Sequence, residues 1–217
     1  MEPLLVKKFS AVPGMNLTDI AERLNAETSE NRVACVNWPQ QYPECPQVSF
    51  RIGHADDELW LGFKVRESRV LGQQTRIHGD VYMDSCVEFF VSFDNKAYYN
   101  LEMNCIGTPH MGYGPGRADR RFVPLPLMQR LEIESSLGRE PFAERVGDVT
   151  WTLTARVPIA CFAFDVLSGL SGRTARANAY KCNSGASIKH YVTWRPVDTP
   201  APDYHRPEFF GDIRFED

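Results

Sequence analysis

The sequence predicts an all-β fold, an antiparallel β-sandwich with jelly-roll-like connections and one short N-terminal helix. Three observations carry that expectation. Apolar and polar residues alternate over many short runs, turn-forming residues separate the runs at regular intervals, and helical spacing occurs in almost none of the chain. No linker and no internal repeat interrupts the 217 residues, so residues 1–217 read as one domain. A chain of this length buries roughly 70 to 75% of the surface its unfolded form exposes, enough for a core without staples.

The helix comes first. Leu17, Ile20, Ala21 and Leu24 recur at helical spacing after Asn16, and the pattern breaks at Asn25. Strands are expected over Arg32–Val36 and Gln47–Ile52, separated by a loop with Trp38, Pro39, Pro43 and Pro46, because prolines of that density cannot sit in a central strand. Glu58–Arg66 places Leu59, Leu61, Phe63 and Val65 on one face and Trp60, Lys64 and Arg66 on the other, the pattern of a half-buried antiparallel strand. Asp80–Cys105 holds the longest hairpin. Val87, Phe89, Val91 and Phe93 alternate with Glu88, Phe90 and Ser92; then, past the turn residues Asp94-Asn95-Lys96, Tyr99, Leu101, Met103 and Cys105 alternate with Tyr98, Asn100, Glu102 and Asn104.

The glycines of 107–116 read as a mobile loop at a site rim, since G-x-x-x-x-G-K-[ST] is absent. Leu131–Ser135 is a weak strand and Val149–Val157 a strong one, ended by Pro158. Arg173–Cys182 alternates small Ala175, Ala177 and Ala179 with Arg176, Asn178 and Tyr180, and Tyr191–Trp194 and Gly211–Phe215 close the chain as strands. Trp60, Trp151 and Trp194 lie within strands and are expected to pack, whereas Trp38 is open to either packing or ligand contact.

Charge excludes two partner classes. A formal charge of -4, with Lys and Arg scattered, leaves no electrostatic footprint for nucleic acid or an anionic membrane. Met1–Lys8 lacks the basic-then-apolar order of a leader, which, taken as the native start, implies a cytoplasmic protein, or a secreted or periplasmic one if a leader was removed. The six cysteines are dispersed, none forms C-x-x-C, and four sit in apolar runs, so they read as reduced and structural, with no metal site expected.

One parity of the central hairpin is expected to face outward, and its chemistry points to a ligand. Glu88, Asn100, Glu102 and Asn104, with Tyr82 just before them, combine carboxylates, amides and a ring, which suits a polyhydroxylated molecule as well as an ordinary wet sheet face. If the Arg173 strand shares that sheet, Arg176, Asn178 and Tyr180 join the same face.

Asp84-Ser85-Cys86-Val87-Glu88-Phe89-Phe90 resembles the D-S-V-E-hydrophobic signature of family 9 carbohydrate-binding modules, with Cys86 as an insertion. Trp151–Pro158 is similar to a later strand of that family, and Val192–Pro196 with Pro207–Phe215 is similar to its closing segment and final F-G strand. The resemblance covers about half the chain. It implies a non-catalytic β-sandwich that clamps the end of an oligosaccharide or polysaccharide between two aromatic rings. The counterparts are Tyr82, or Val81 if the register is anchored on Asp84, and Tyr204, with Glu88 accepting from sugar hydroxyls and His205 and Arg206 beside Tyr204 at the rim. Where the resemblance expects an arginine on the second strand, this chain has Tyr99 or Asn100. Calcium sites occur in the family, but no dense Asp/Asn cluster here matches one, so no cofactor is expected. Two other classes compete: a haem-binding electron-transfer sandwich using Met103, His110 or Met111, and a glycosidase using Glu88 and Glu102 as its carboxyl pair.

Overall fold

The computed structural model describes residues 2–217 apart from Ala11, Pro13 and Asp56; Met1, where the leader expectation begins, lies outside the described residues. The elements in chain order are β1 (Leu4–Lys8), α1 (Leu17–Glu27), β2 (Asn31–Arg32), β3 (Cys35–Val36), β4 (Gln47–His54), β5 (Glu58–Gly72), β6 (Cys86–Ser92) and β7 (Tyr98–Asn104). Then follow β8 (Pro109–Gly114), β9 (Arg121–Phe122), α2 (Leu125–Met128), β10 (Glu132–Ser135), β11 (Phe142–Pro158), β12 (Thr174–Cys182), β13 (Tyr191–Thr193) and β14 (Gly211–Phe215).

The architecture is an all-β sandwich with a short helix. One layer runs β10-β11-β5-β4, with β2 also on β4; the other runs β14-β12-β6-β7-β8-β9, with β13 beside β12 and β3 beside β13. Apart from β1, every pairing is antiparallel. β1 is the addition that alternation did not predict. Its first half lies parallel to β14 and its last two residues lie parallel to β4, so this one strand crosses from layer to layer and curls them into a continuous sheet.

The inward parity of each strand forms one core. Phe50 and Phe63 of the first layer meet Phe89 of the second, the Phe50 and Phe89 ring centroids lying 6.3 Å apart, and Trp151, Leu153, Tyr99 and Leu101 complete the filling. Helix α1 starts where expected, because Asn16 and Asp19 cap each other's backbone N–H groups at 2.9 and 3.0 Å. Its Ile20 and Leu24 bury against Phe9, Ala55 and Trp60 on the outer side of the first layer, which explains how Trp60 can oppose the core parity of β5 and still be fully buried. Trp151 is buried, and Trp194 packs edge-on to Phe50 at 5.4 Å. Trp38 packs as well: its indole donates to the Thr199 carbonyl at 2.7 Å.

A buried ion pair ties the layers together at one end. Lys181 of β12 reaches Glu67 of β5 at 2.8 Å, donates to the Cys182 carbonyl and to His190 Nε2, both at 2.8 Å, and the Trp151 indole occupies the other Glu67 oxygen. Because His190 accepts from an ammonium it is held neutral, and burial followed by the Lys181 charge lowers its pKa well below the usual histidine range. All six cysteines are free thiols. Among the described residues, no helix is long and apolar enough to cross a membrane.

Candidate functional site

Residues of 107–116 correct the first expectation. Instead of a rim loop they contain β8, whose Gly112 lies opposite Asn100 of β7. A Cβ at Gly112 would meet Asn100 Oδ1 at 2.8 Å and Arg120 Nε at 3.3 Å, so glycine here permits close approach of side chains over the strand. The second correction concerns the outward parity of the hairpin. It is not a wet face: Glu88, Asn100 and Glu102 are buried, because the segments 73–85, 117–122 and 195–210 fold over the outer side of this layer.

The covering is of two kinds. Phe90, Tyr98 and Tyr180 carry an apolar cap of Trp38, Val197, Tyr204 and Phe210. Beside it the cover leaves a cavity of about 700 Å³. Strand register builds its floor, because Glu88, Glu102 and His110 are successive cross-strand partners on β6, β7 and β8. Cys182 and Asn100 extend the floor along β12 and β7. The walls come from segments that fold over the sheet: His78, Gly79, Asp80 and Tyr82 from one, Arg117, Arg120 and Phe122 from a second, and Pro202, Asp203, Tyr204 and His205 from a third, with Tyr42, Ser184 and Tyr191 completing the lining.

Six residues expected to form a site therefore meet in this cavity: Tyr82, Glu88, Asn100, Glu102, Tyr204 and His205. Two lie elsewhere. Asn104 shares the face, but its amide donates to the Gln74 carbonyl and to Asp84 Oδ2 and its oxygen accepts from Thr108 N, so it holds the 73–85 segment in place. The same Asp84 oxygen also accepts from the backbone of Gln73 and Gln74, making the Asp-Ser start of the hairpin a support for the cavity wall. Arg206 lies outside the cavity lining and pairs with Glu208. Arg176, Asn178 and Tyr180 share the face of Glu88 through the β6–β12 register, but Arg176, opposite Ser92, lies outside the cavity lining, donating to the Glu208 carbonyl and pairing with Asp212. Met103 and Met111 belong to the inter-layer core, on the side of the sheet opposite the cavity.

The residue most consequential for the floor went unread in the sequence. Arg120 donates Nε and Nη2 to Asn100 Oδ1 at 2.9 and 2.7 Å, Nη2 also to the Tyr98 carbonyl at 2.9 Å, and Nη1 to the Gly116 carbonyl at 2.7 Å, while its guanidinium lies 4.3 Å from the Tyr98 ring centroid. Asn100 then donates to Glu102 Oε1 at 2.8 Å. An arginine thus arrives at the second strand from the β8–β9 connection, beyond the reach of strand alternation. Phe122 was equally unread; it stacks on His78 at 5.0 Å and meets His110 edge-on at 5.1 Å.

Burial sets the protonation states. It lowers His110 to about 4 and His205 to about 3, with the Arg120 charge adding to both, so each imidazole is neutral near pH 7. His205 Nδ1 lies 2.8 Å from the Tyr98 hydroxyl. Burial also raises Glu88 well above the usual carboxyl range, helped by Cys182 and Glu102. Glu102 rises to about 7 by burial, against the lowering influence of Asn100 and Arg120. A carboxyl with a raised folded pKa holds more protons folded than unfolded between its two pKa values, so its stabilisation is greatest at low pH and is lost as pH rises. For Glu102 the window is roughly pH 4.5 to 7, worth on the order of 3 kcal/mol. Glu102→Gln should flatten the fall in unfolding free energy across that window, measured by urea titration; a slope equal to that of the parent protein would refute the assignment.

Among the described residues, one group of three or more His, Cys, Asp or Glu side chains converges closely, Cys86, Glu88 and Cys182. Two sulfurs do not suit calcium, which takes six to eight oxygens, so this group does not supply the family's calcium site.

Comparison with known proteins places this geometry. The chain is 34% identical to a protein of Bacteroides uniformis ATCC 8492 proposed to bind carbohydrate, whose crystal structure superposes with a TM-score of 0.95 over 99% of each chain. A family 9 carbohydrate-binding module of Caldicellulosiruptor kristjanssonii in complex with glucose has the same fold at 15% identity, with a TM-score of 0.60 over 99% of this chain and 96% of that one. Its complex with cellotriose gives 0.59, again at 15% identity, over 99% and 94%. No curated protein matches the chain. The sequence profile of carbohydrate-binding family 9 matches residues 19–215, nearly the full length, and the chain accordingly belongs to that family.

Proposed function

We propose that the cavity binds the end of an oligosaccharide or polysaccharide chain and does not cleave it. The observation that carries this reading is the pairing, in one cavity, of a floor of buried hydrogen-bonding groups with exposed aromatic rings at the wall. Glu88, Asn100, Glu102 and His110 supply acceptors and donors for hydroxyl groups, and the rings supply faces for the C–H side of a pyranose. Walls built by several converging segments over a buried floor favour a chain end over the middle of a long chain. The glucose and cellotriose complexes of the Caldicellulosiruptor module support a saccharide as the ligand class.

The two expected clamp residues contribute unequally to this proposal. Tyr82 is 43% exposed, but Tyr204 is 8% exposed, stacks on Tyr180 at 4.2 Å and donates its hydroxyl to the Lys181 carbonyl at 2.9 Å. Phe122, 54% exposed, has the free face that Tyr204 lacks, and we assign the second stacking surface to it. Non-catalytic binding is favoured by the carboxyl arrangement. Glycoside hydrolysis needs two carboxyls flanking the scissile bond, whereas Glu88 and Glu102 are register partners side by side on one floor.

Titration calorimetry with glucose, cellotriose and borohydride-reduced cellotriose tests the class and the end preference, alongside an assay for released reducing sugar. Binding with no hydrolysis is expected; no binding across these and a wider glycan panel would overturn the reading. Tyr82→Ala and Phe122→Ala should each weaken binding about tenfold, the worth of one lost ring contact, while the thermal midpoint stays nearly constant because both rings are exposed. Affinities within twofold of the parent in both variants would move the stacking surface elsewhere.

A further inference from the structure

The register that builds the floor also sets two cysteines, which saccharide recognition does not require, against Glu88. Cys86 of β6 and Cys182 of β12 are direct cross-strand partners, and Glu88 lies two residues along β6 on the same face. One sulfur from each cysteine and one Glu88 oxygen all lie within 4.8 Å of one another. Glu88 is 3% exposed, yet among the described residues its carboxyl accepts a single hydrogen bond, a weak one from Cys182 Sγ at 3.2 Å. A buried carboxyl with so little polar company is costly unless it stays neutral or meets a cation.

We propose that Cys86, Glu88 and Cys182 bind one thiophilic divalent cation of the zinc class, with a fourth coordination position open to the cavity. Thiolates at about 2.3 Å and a carboxylate oxygen at about 2.0 Å around tetrahedral zinc stand roughly 3.5 to 3.8 Å apart, so the observed spacing closes onto the metal with shifts of about 1 Å or less. Two sulfurs and one oxygen exclude calcium and magnesium, which take oxygen ligands. Central strands of a packed layer carry all three side chains, so the donors are held in place before the metal arrives. Cys182 and Glu88 line the cavity, which leaves the fourth position to water or to a hydroxyl of whatever occupies it. Burial raises the Cys86 thiol and the Glu88 carboxyl well above their ordinary ranges, so without metal both hold their protons; binding releases those protons to solvent and strengthens as pH rises. The metal site shares Glu88 with the saccharide floor and is tested without sugar.

The reduced full chain is stripped with a chelator, dialysed against zinc chloride, and analysed for metal content. Cobalt chloride then serves as a spectroscopic probe of thiolate ligation. One equivalent of zinc is expected, with a thiolate-to-cobalt charge-transfer band in the cobalt form. Cys182→Ser, Cys86→Ser and Glu88→Gln should each weaken zinc binding by about tenfold or more, since changes even one shell further out cost that much. Cys45→Ser, at the exposed cysteine, should leave it unchanged. Substoichiometric zinc in the reduced parent protein overturns the proposal, as does binding that survives Glu88→Gln together with either cysteine change. A count of four thiols in the isolated protein denatured in chelator, restored to six by reductant, with peptide mapping joining Cys86 to Cys182, also overturns it in favour of a cross-strand disulfide.

Discussion

A Lys181→Met variant is expected to lose about 3 to 5 kcal/mol of unfolding free energy, the largest stability effect available from a single exposed or buried charge in this chain. The ammonium has three partners, Glu67, His190 and the Cys182 carbonyl, each at 2.8 Å, and is itself fully buried. Removing it leaves the Glu67 carboxylate inside the sandwich with the Trp151 indole as its one hydrogen-bond donor and the neutral His190 ring 3.4 Å away, and leaves His190 Nε2 without its donor. Because Glu67 belongs to β5 and Lys181 to β12, the loss falls on the contact between layers. The double variant Lys181→Met/Glu67→Gln removes both charges and keeps an acceptor for Trp151, so it should recover a large part of the deficit. Urea denaturation of the three proteins decides it. A single variant within about 1 kcal/mol of the parent would mean that the carboxyl is protonated or hydrated once the lysine is gone.

The largest effect on binding is expected from Arg120→Ala. Its guanidinium makes two contacts to Asn100 Oδ1 and one each to the carbonyls of Tyr98 and Gly116, and Asn100 in turn orients Glu102. Without it, Asn100 Oδ1 keeps only the Gly112 backbone donor at 3.1 Å, and Glu102 loses a charge that holds its pKa down. A loss of about 2 kcal/mol, roughly 30-fold in saccharide affinity, is the scale for removing such an anchor. Arg120→Lys should not restore binding, since a single ammonium cannot make the forked contact to Asn100 and reach both carbonyls. Calorimetry with cellotriose, or with the tightest glycan of a panel, reads the effect, and circular dichroism establishes that the variant is folded. A folded Arg120→Ala protein with unchanged affinity would show that Asn100 and Glu102 do not contact the ligand.

Local chemistry carried much of the fold. The Asn16 cap and the spacing of Ile20 and Leu24 defined α1, and the alternation of Val87, Phe89 and Val91 with Glu88 and Phe90 defined which side of β6 faces the core. The same parity argument, extended to β12, placed Asn178 and Tyr180 on the face of Glu88. These features rest on neighbours within a few residues, or on a period of two that holds whatever the strand order is.

What parity cannot say is what lies over a face. Glu88, Asn100 and Glu102 read as outward, yet they are buried, because the segments 73–85, 117–122 and 195–210 cover that side of the sheet. The same covering took Tyr204 out of the solvent and left Phe122 in it, and it brought Arg120 onto Asn100. Glycines of 107–116 suggested a loop, but in β8 they make room for the Asn100 and Arg120 side chains. β1 left no local trace, since its partners β4 and β14 stand some 45 and 210 positions along the chain and its pairing is parallel. The sequence alone therefore determined the sandwich, its family and most of the polar groups of the floor. Only the tertiary structure decided which of them share a cavity and which rings stay open to a ligand, because those properties depend on contacts between segments far apart in sequence, whose closure no local preference encodes.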